Sequence, residues 1–421
     1  MAKELLMTID DYRLSKFVIK IDTKEGWVFY NTLTASIVSI SEEEDLFNSL
    51  DDLIKMYYYV PNDFDEVSFV NLLREQRSLE SQKRPIDGFT ILTTTDCNAR
   101  CYYCYEKGQS RITMTEKTAY DVAYYIIKSS SNTPVNLRWF GGEPLVNTKA
   151  IDIISNILSL KGVVYSSTMV SNGLLFNEAT LSKATKLWKL RNVQITLDGT
   201  KDVYQKVKSY LHTNGNEFDI VIDNISKLIK ANISVSIRLN QDFYNTENLL
   251  ELTDLLSELF KEEKGVSVYN CWLYDENLDI DSNIEIERYE KYKLLQDKII
   301  ECGLYRKNPL KRKIRFSYCM ADNDSSIMIT PDGSIGKCEH FINQHLIGSI
   351  YSNVFDSNEI SKWKEKYQPT IKCNNCPLYP QCVRIKMCPE ERNQCSLSQC
   401  ENRIELIKRS LLQKYRFVND R

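Results

Sequence analysis

The stretch TTTDCNARCYYCYEKG, residues 93–108, sets Cys97, Cys101 and Cys104 within eight positions. Three thiolates on one loop are one ligand short of the four that close a structural zinc site. Two chemistries remain. A zinc ion could take a distant fourth ligand such as Cys271, or an iron–sulfur cube could sit on three thiolates with one iron open to a small molecule. The open position is what catalysis requires. Eight more cysteines crowd between Cys319 and Cys400, while Cys271 and Cys302 stand apart. Three histidines in the whole chain, His212, His340 and His345, are too few for a multi-histidine metal centre.

The elements that must position these residues are legible in the periodicity. From residue 88, strand-like runs (GFTILTTT, VNLRWF, VYSSTMVS, NVQITLDG, ISVSIRLN, VSVYNCWLY) alternate with amphipathic stretches at helical spacing. That alternation predicts βαβ crossovers and a parallel sheet, either doubly wound or an incomplete barrel. The cysteine loop then follows the first strand, at the carboxyl end where active-site loops gather. Ahead of it, FVIKID and GWVFYN read as two strands followed by helical patterns, and SLESQKRPIDG reads as a linker.

The totals exclude several classes. Net charge is −3 over 421 residues, with 54 Lys and Arg against 57 Asp and Glu, so there is no basic footprint for nucleic acid. The N-terminus places acidic residues where a signal peptide has its apolar core, and no run approaches the roughly 18 apolar residues of a membrane span. A cytoplasmic protein without a membrane partner is expected. In such a reducing compartment 13 cysteines point to metal ligation rather than disulfides.

CxxxCxxC with an aromatic, Tyr103, before the last cysteine resembles the hallmark of the radical S-adenosylmethionine (SAM) superfamily. WFGGEPL at 139–145 resembles the family's glycine-glycine-glutamate element, SNG closes the third strand, QITLDG forms the fourth, and IRLN puts Arg238 and Asn240 on one face of the fifth. The resemblance implies an α/β fold, a partial (β/α)6 TIM barrel. It implies a [4Fe-4S] cluster on Cys97, Cys101 and Cys104. SAM would be held by Tyr103, Gly141, Gly142, Glu143, Pro144, Ser171, Asn172, Asp198, Arg238 and Asn240.

Cys319 is followed by thirteen residues, Gly333, four residues and Cys338; Cys373, Cys376, Cys382, Cys388, Cys395 and Cys400 come later. This pattern resembles the SPASM extension, which carries two auxiliary [4Fe-4S] clusters; a two-zinc ribbon is the alternative. Cys373, Cys376, Cys382 and Cys400 are expected at the outer cluster, and Cys319, Cys338 and Cys388 at the inner one. The fourth inner ligand is Cys395, Cys302 or the substrate. Five residues separate Cys382 from Cys388 where the family pattern has three. Glu339, beside Cys338, stands where sulfatase-maturating relatives carry a carboxylate base; a surface charge is the alternative.

Three segments are expected: a small N-terminal α+β unit (1–85), the barrel (86–305) and a SPASM iron–sulfur domain (306–421). The first resembles winged-helix leader-recognition domains, with GWVFYNTLTASIVSI supplying a strand pair and first helix. The implied activity is maturation of a ribosomally made (RiPP) precursor peptide by a thioether or carbon–carbon crosslink, served by a flavodoxin- or ferredoxin-type reductant. Sulfatase maturation and epimerisation, for which Cys271 offers a hydrogen donor, are the alternatives.

Overall fold

FVIKID and GWVFYN, rich in β-branched and aromatic residues, form strands, the second buried on both faces. The computed structural model describes residues 9–41, 49–212, 214–273, 282–352, 354–388 and 397–419; Cys395 lies outside them. Strand β1 is Tyr12–Leu14, β2 Val18–Thr23, β3 Gly26–Asn31 and β4 Ile37–Ile40. Helix α1 (Leu50–Lys55), β5 (Tyr59–Pro61) and α2 (Glu66–Ser81) complete this region. β2, β3 and β4 form an antiparallel sheet, and β1 pairs with β5. TASIVSI, expected to open a helix, forms β4 instead, because its β-branched residues pair with Trp27–Tyr30.

The alternation from residue 88 yields β6 (Gly88–Thr94), α3 (Glu116–Ser130), β7 (Val135–Gly141), α4 (Thr148–Leu160), β8 (Tyr165–Ser171) and α5 (Glu178–Lys186). It continues through β9 (Leu190–Leu197), α6 (Lys201–Lys208), α7 (Glu217–Lys230), β10 (Ser234–Gln241), α8 (Thr246–Phe260), β11 (Val266–Trp272) and α9 (Ser282–Glu301). Each of the six expected strands is present. Then come β12 (Ser326–Ile329), β13 (Ser334–Gly336), β14 (Gly348–Ser349), α10 (Ser357–Lys364) and α11 (Leu397–Asn419).

Nine strands form one sheet in the order β11-β10-β9-β8-β7-β6-β12-β13-β14. From β6 to β11 the pairing is parallel and the order never reverses. Right-handed crossovers without a reversal put all the helices on one face, so the sheet is singly wound and the doubly wound option drops out. Burial agrees. Ile91, Trp139, Met169, Ile195, Ile237 and Val268 are buried toward the helices. The intervening positions, among them Thr90, Arg138, Thr168, Arg238 and Tyr269, share the opposite, helix-free face. Sequence did not reveal β12, whose SIMI run pairs parallel with β6.

Packing divides the chain into two compact units. One is Met1–Lys83, Asn308–Cys319 and Lys364–Arg421; the other is Arg84–Lys307 and Met320–Trp363. The first unit thus joins the N-terminal segment to parts of the C-terminal one. Helix α1 covers one face of the N-terminal sheet, where Val18, Phe29 and Ile40 meet Leu53. Ile19, Val28 and Tyr30 instead pack with Leu310, Leu378, Ile407 and Leu411 in one apolar cluster. Polar groups follow suit. Thr32 donates to the Pro377 carbonyl, Gln381 Nε2 to the Thr32 carbonyl at 3.1 Å, and the Arg74 guanidinium to the Tyr379 and Cys382 carbonyls at 2.8 Å each.

Candidate active site

Cys97, Cys101 and Cys104 follow β6 on a loop anchored from several sides. Asp96 Oδ1 accepts from the Cys97 amide at 2.8 Å, and the Arg100 amide donates to the Lys208 carbonyl at 2.8 Å. All three cysteines are partly buried. Burial pushes the Cys97 thiol up to about 12, with Glu143 adding to it; it raises Cys101 and Cys104 as well. Such thiols ionise only beside a strong cation, and iron or another metal supplies one. Among the described residues, no three His, Cys, Asp or Glu side chains converge on a single ion. A cube asks for wider spacing, because each thiolate binds its own iron.

The GGEP turn closes onto the start of this loop. Gly141 has φ +127°, and a Cβ there would sit 2.1 Å from the Thr94 carbonyl oxygen; at Gly142 it would sit 2.4 Å from that of Asp96. Only glycine permits the two backbones to approach so closely. The amides of Gly142 and Glu143 then donate to the Thr94 and Asp96 carbonyls at 3.1 and 3.0 Å. Pro144 opens a short 3-10 turn, and its carbonyl accepts from Thr93 Oγ1 at 3.2 Å.

Glu143 is fully buried. Its Oε1 accepts from the Leu145 amide and Ser171 Oγ at 3.1 and 2.9 Å, and its Oε2 from the Asn172 amide at 2.7 Å. Three of about four lone-pair sites are filled, which leaves one for an ammonium. Burial raises this carboxyl to about 7 against the pull of those hydrogen bonds. Glu143 thus ties β7 to β8 as well as facing the loop. Asn172 Nδ2 reaches Asn98 Oδ1 at 2.7 Å, inside the cysteine loop.

A second buried network joins the loop to the ends of β9 and β10. Asp198 Oδ1 accepts from Tyr103 Oη at 2.7 Å and Asn240 Nδ2 at 3.0 Å, while Asn240 Oδ1 accepts from Arg238 Nε at 2.9 Å. Lys208, which the motif reading missed, closes it: its Nζ lies 2.9 Å from Asp198 Oδ2 and 3.3 Å from Tyr103 Oη. Burial alone would lower Lys208, but the Asp198 carboxylate beside it holds it well above the ordinary lysine value. One cue existed. Four residues after the buried Tyr204, Lys208 falls on the buried face of α6.

The structure therefore gathers Tyr103, Gly141, Gly142, Glu143, Pro144, Ser171, Asn172, Asp198, Arg238 and Asn240 into two connected networks around the three-cysteine loop. These groups suit a cluster on three thiols and a ligand carrying both an ammonium and a carboxylate. Glu339 stands on the same unit, 3.5 Å from Arg138 Nη1, and His340 lies against Tyr105 with ring centroids 4.6 Å apart. Cys271 is on the helix-free face, beside Asn240 in register.

In the other unit Cys376 and Cys400 both touch the Tyr30–Leu378–Ile407 cluster, and Cys373 and Cys376 touch the cluster of Phe17, Val70 and Tyr379. Arg403 lies within the field of Cys382 and Cys400, and Arg74 within that of Cys382 and Cys373. Nothing in the sequence marks either arginine. The set Cys319, Cys338 and Cys388 is divided: Cys338 belongs to the sheet unit, the other two to the smaller one.

Residues 91–259 match the model of the Radical SAM superfamily. A GTP 3′,8-cyclase of Clostridium perfringens (strain 13 / Type A) is 27% identical over 275 residues, covering 61% of this chain and 82% of that protein. Among solved structures, native anSMEcpe with bound AdoMet superposes with a TM-score of 0.61 at 16% identity, over 78% of this chain and 100% of that one. Streptococcus suis SuiB bound to precursor peptide SuiA gives 0.52 at 14% identity, over 88% and 94%. At these identities the structural likeness is one of fold. No helix among the described residues is long and apolar enough to cross a membrane.

Proposed function

We propose that this chain is a radical SAM peptide maturase whose six parallel strands form an incomplete (β/α)6 barrel. It would abstract a hydrogen from a residue of a ribosomally made precursor peptide and form a thioether or carbon–carbon crosslink. The observation that carries this reading is extent. The match to the cyclase spans 61% of the chain, whereas the likeness to SuiB with its precursor peptide spans 88%. The smaller unit, with its own cysteines, suits a SPASM-type extension. The cyclase reading is the second candidate, on sequence similarity alone.

On this reading Cys97, Cys101 and Cys104 hold a [4Fe-4S] cluster, and Glu143, Arg238, Asn240 and Asp198 hold SAM. When bound, these groups supply an electron and a 5′-deoxyadenosyl radical. Tyr103 and Lys208 fix Asp198, and Ser171 and the Asn172 amide fix Glu143, so each carboxylate is oriented before the ligand arrives. Preorganisation of this kind lowers the cost of binding. Glu339 would take the substrate proton as general base, within reach of Arg138. Cys373, Cys376, Cys382 and Cys400 would hold an outer cluster, and Cys319, Cys338 and Cys388, with Cys395, Cys302 or the substrate, an inner one. A flavodoxin- or ferredoxin-type protein would supply electrons.

Anaerobic reconstitution followed by incubation with SAM, dithionite and the short peptides encoded beside the gene tests the reading. A peptide that loses two hydrogens per crosslink is the expected product. Conversion of GTP with no change in any peptide would reject it in favour of the cyclase.

A further inference from the structure

The helix-free face of the sheet carries two arginines, Arg138 and Arg238, of which the SAM reading uses only Arg238. Arg138 on β7 and Arg238 on β10 both point to this face, and Arg238 is in direct register with Tyr269 on β11. Tyr269 donates to Gln194 Oε1 at 2.8 Å, and Lys307 Nζ lies 3.5 Å from the centre of its ring. Burial raises the Tyr269 hydroxyl, and the fields of Arg238 and Arg138 oppose that rise. Both guanidinium groups are thus close enough to act on one ring.

Arg138 is the least committed of these cations. Among the described residues its guanidinium makes an ion pair, with Glu339, but no hydrogen bond. It lies 5.3 Å from the Phe140 ring centre and 3.5 Å from Glu339 Oε1. Its side chain is 38% exposed, so a solute can reach it. A cleft of about 190 Å³ opens beside it, lined by Thr90, Thr168, Met320 and Ser326, with ample room for a side chain. Glu339 offsets one positive charge; Asp198 and Lys208 offset each other. Arg138, paired with Glu339 at 3.5 Å without a hydrogen bond, keeps donors of its planar guanidinium available along the cleft that it lines.

We propose that Arg138 binds a substrate carboxylate, so that the precursor peptide presents an Asp or Glu side chain next to the residue that is modified. A bidentate guanidinium–carboxylate pair fixes direction as well as position. It would hold the reacting residue in one orientation and, by engaging Arg138, free Glu339 to accept a proton. This deepens the peptide-maturase reading and rests on it.

Phage-displayed random seven-residue peptides, panned anaerobically on the reconstituted full chain loaded with SAM, test it. The wild type should enrich Asp or Glu at one position about tenfold or more over the input, the scale of a charge-assisted pair. Arg138→Gln should abolish that enrichment, and Arg138→Lys, which keeps the charge without the fork, should retain part of it. Iron content and SAM affinity at wild-type levels in both variants would show that the fold survives. Enrichment of peptides without an acidic position, or acidic enrichment unchanged in Arg138→Gln, overturns the inference while the peptide reading stands. Selection of no peptide, with GTP binding by calorimetry that weakens in Arg138→Gln, overturns both.

Discussion

The three-cysteine loop after β6 and the cysteines of the smaller unit are built on opposite plans. Cys97, Cys101 and Cys104 come from one loop, and their surroundings are polar: Glu143, Asn172 and the Tyr103–Asp198–Lys208 network. Cys373, Cys376 and Cys400 lie against apolar clusters assembled from residues 17–33, 70, 310, 378–379 and 407–411. In the first region the ligands hang on a loop that follows β6 and lie outside the sheet's apolar core. In the second, the residues that would hold a cluster are also pieces of the core. A site of the first kind can be emptied without unfolding the protein; a site of the second kind cannot.

The largest contrast is expected on emptying the first. Cys97→Ala, Cys101→Ala and Cys104→Ala combined should abolish 5′-deoxyadenosine formation and lower reconstituted iron from roughly twelve to roughly eight atoms per chain, one cube fewer. The circular dichroism spectrum should stay unchanged. Continued SAM cleavage would move the site elsewhere.

Removal of residues 1–83 probes the second. Read from sequence, this segment looks detachable, as a leader-recognition unit should be. The packing says otherwise: the deletion would expose Leu310, Leu378, Ile407 and Leu411 together. Burying such side chains contributes about 1.5–3 kcal/mol each, so the truncated chain should lose the outer cluster's iron and become sensitive to proteolysis between residues 364 and 388. A truncated protein with full iron content and wild-type protease resistance would restore the detachable reading.

Lys208 sharpens the comparison from within the polar region. Lys208→Met leaves Asp198 buried without its cation, a change that costs about 3–5 kcal/mol in other proteins. Urea denaturation should show a loss of that order, and Lys208→Met combined with Asp198→Asn should recover part of it. Additive losses in the double variant would mean the two side chains do not depend on each other.

The smallest effect concerns Glu143, held at about 7 against an ordinary 4.5. Between those values the folded chain keeps a proton that the unfolded chain has released. This group's contribution to stability therefore falls as pH rises from about 4.5 to about 7 and stays level above, a span on the order of 3 kcal/mol. In SAM-free protein, Glu143→Gln should flatten that part of the Tm-against-pH curve relative to wild type. Parallel curves for the two proteins would show that the carboxylate is already ionised at low pH.

Most of the sheet unit was legible from the sequence. The strands from β6 to β11 appear where alternation placed them, because period-two and period-3.6 patterns are consequences of which face a segment buries. The loop cysteines, the GGEP turn, Asp198 and the Arg238–Asn240 pair were legible for another reason, their resemblance to radical SAM motifs spaced along successive strands. The helix expected from TASIVSI failed, since short β-branched runs take the pairing their neighbours offer, and Trp27–Tyr30 offered a strand.

Spacing along the chain could determine the ligand loop, the alternation of strands with helices and the face on which each strand residue lies. It could not determine that residues of the segment 1–83 share a core with Leu378 and Ile407, nor that Lys208 would neutralise Asp198, nor that Arg138 would pair with Glu339. Those are contacts between residues distant in sequence, with no periodicity linking them. Only the burial of a common apolar cluster, and the need of a buried carboxylate for a cation, decided them.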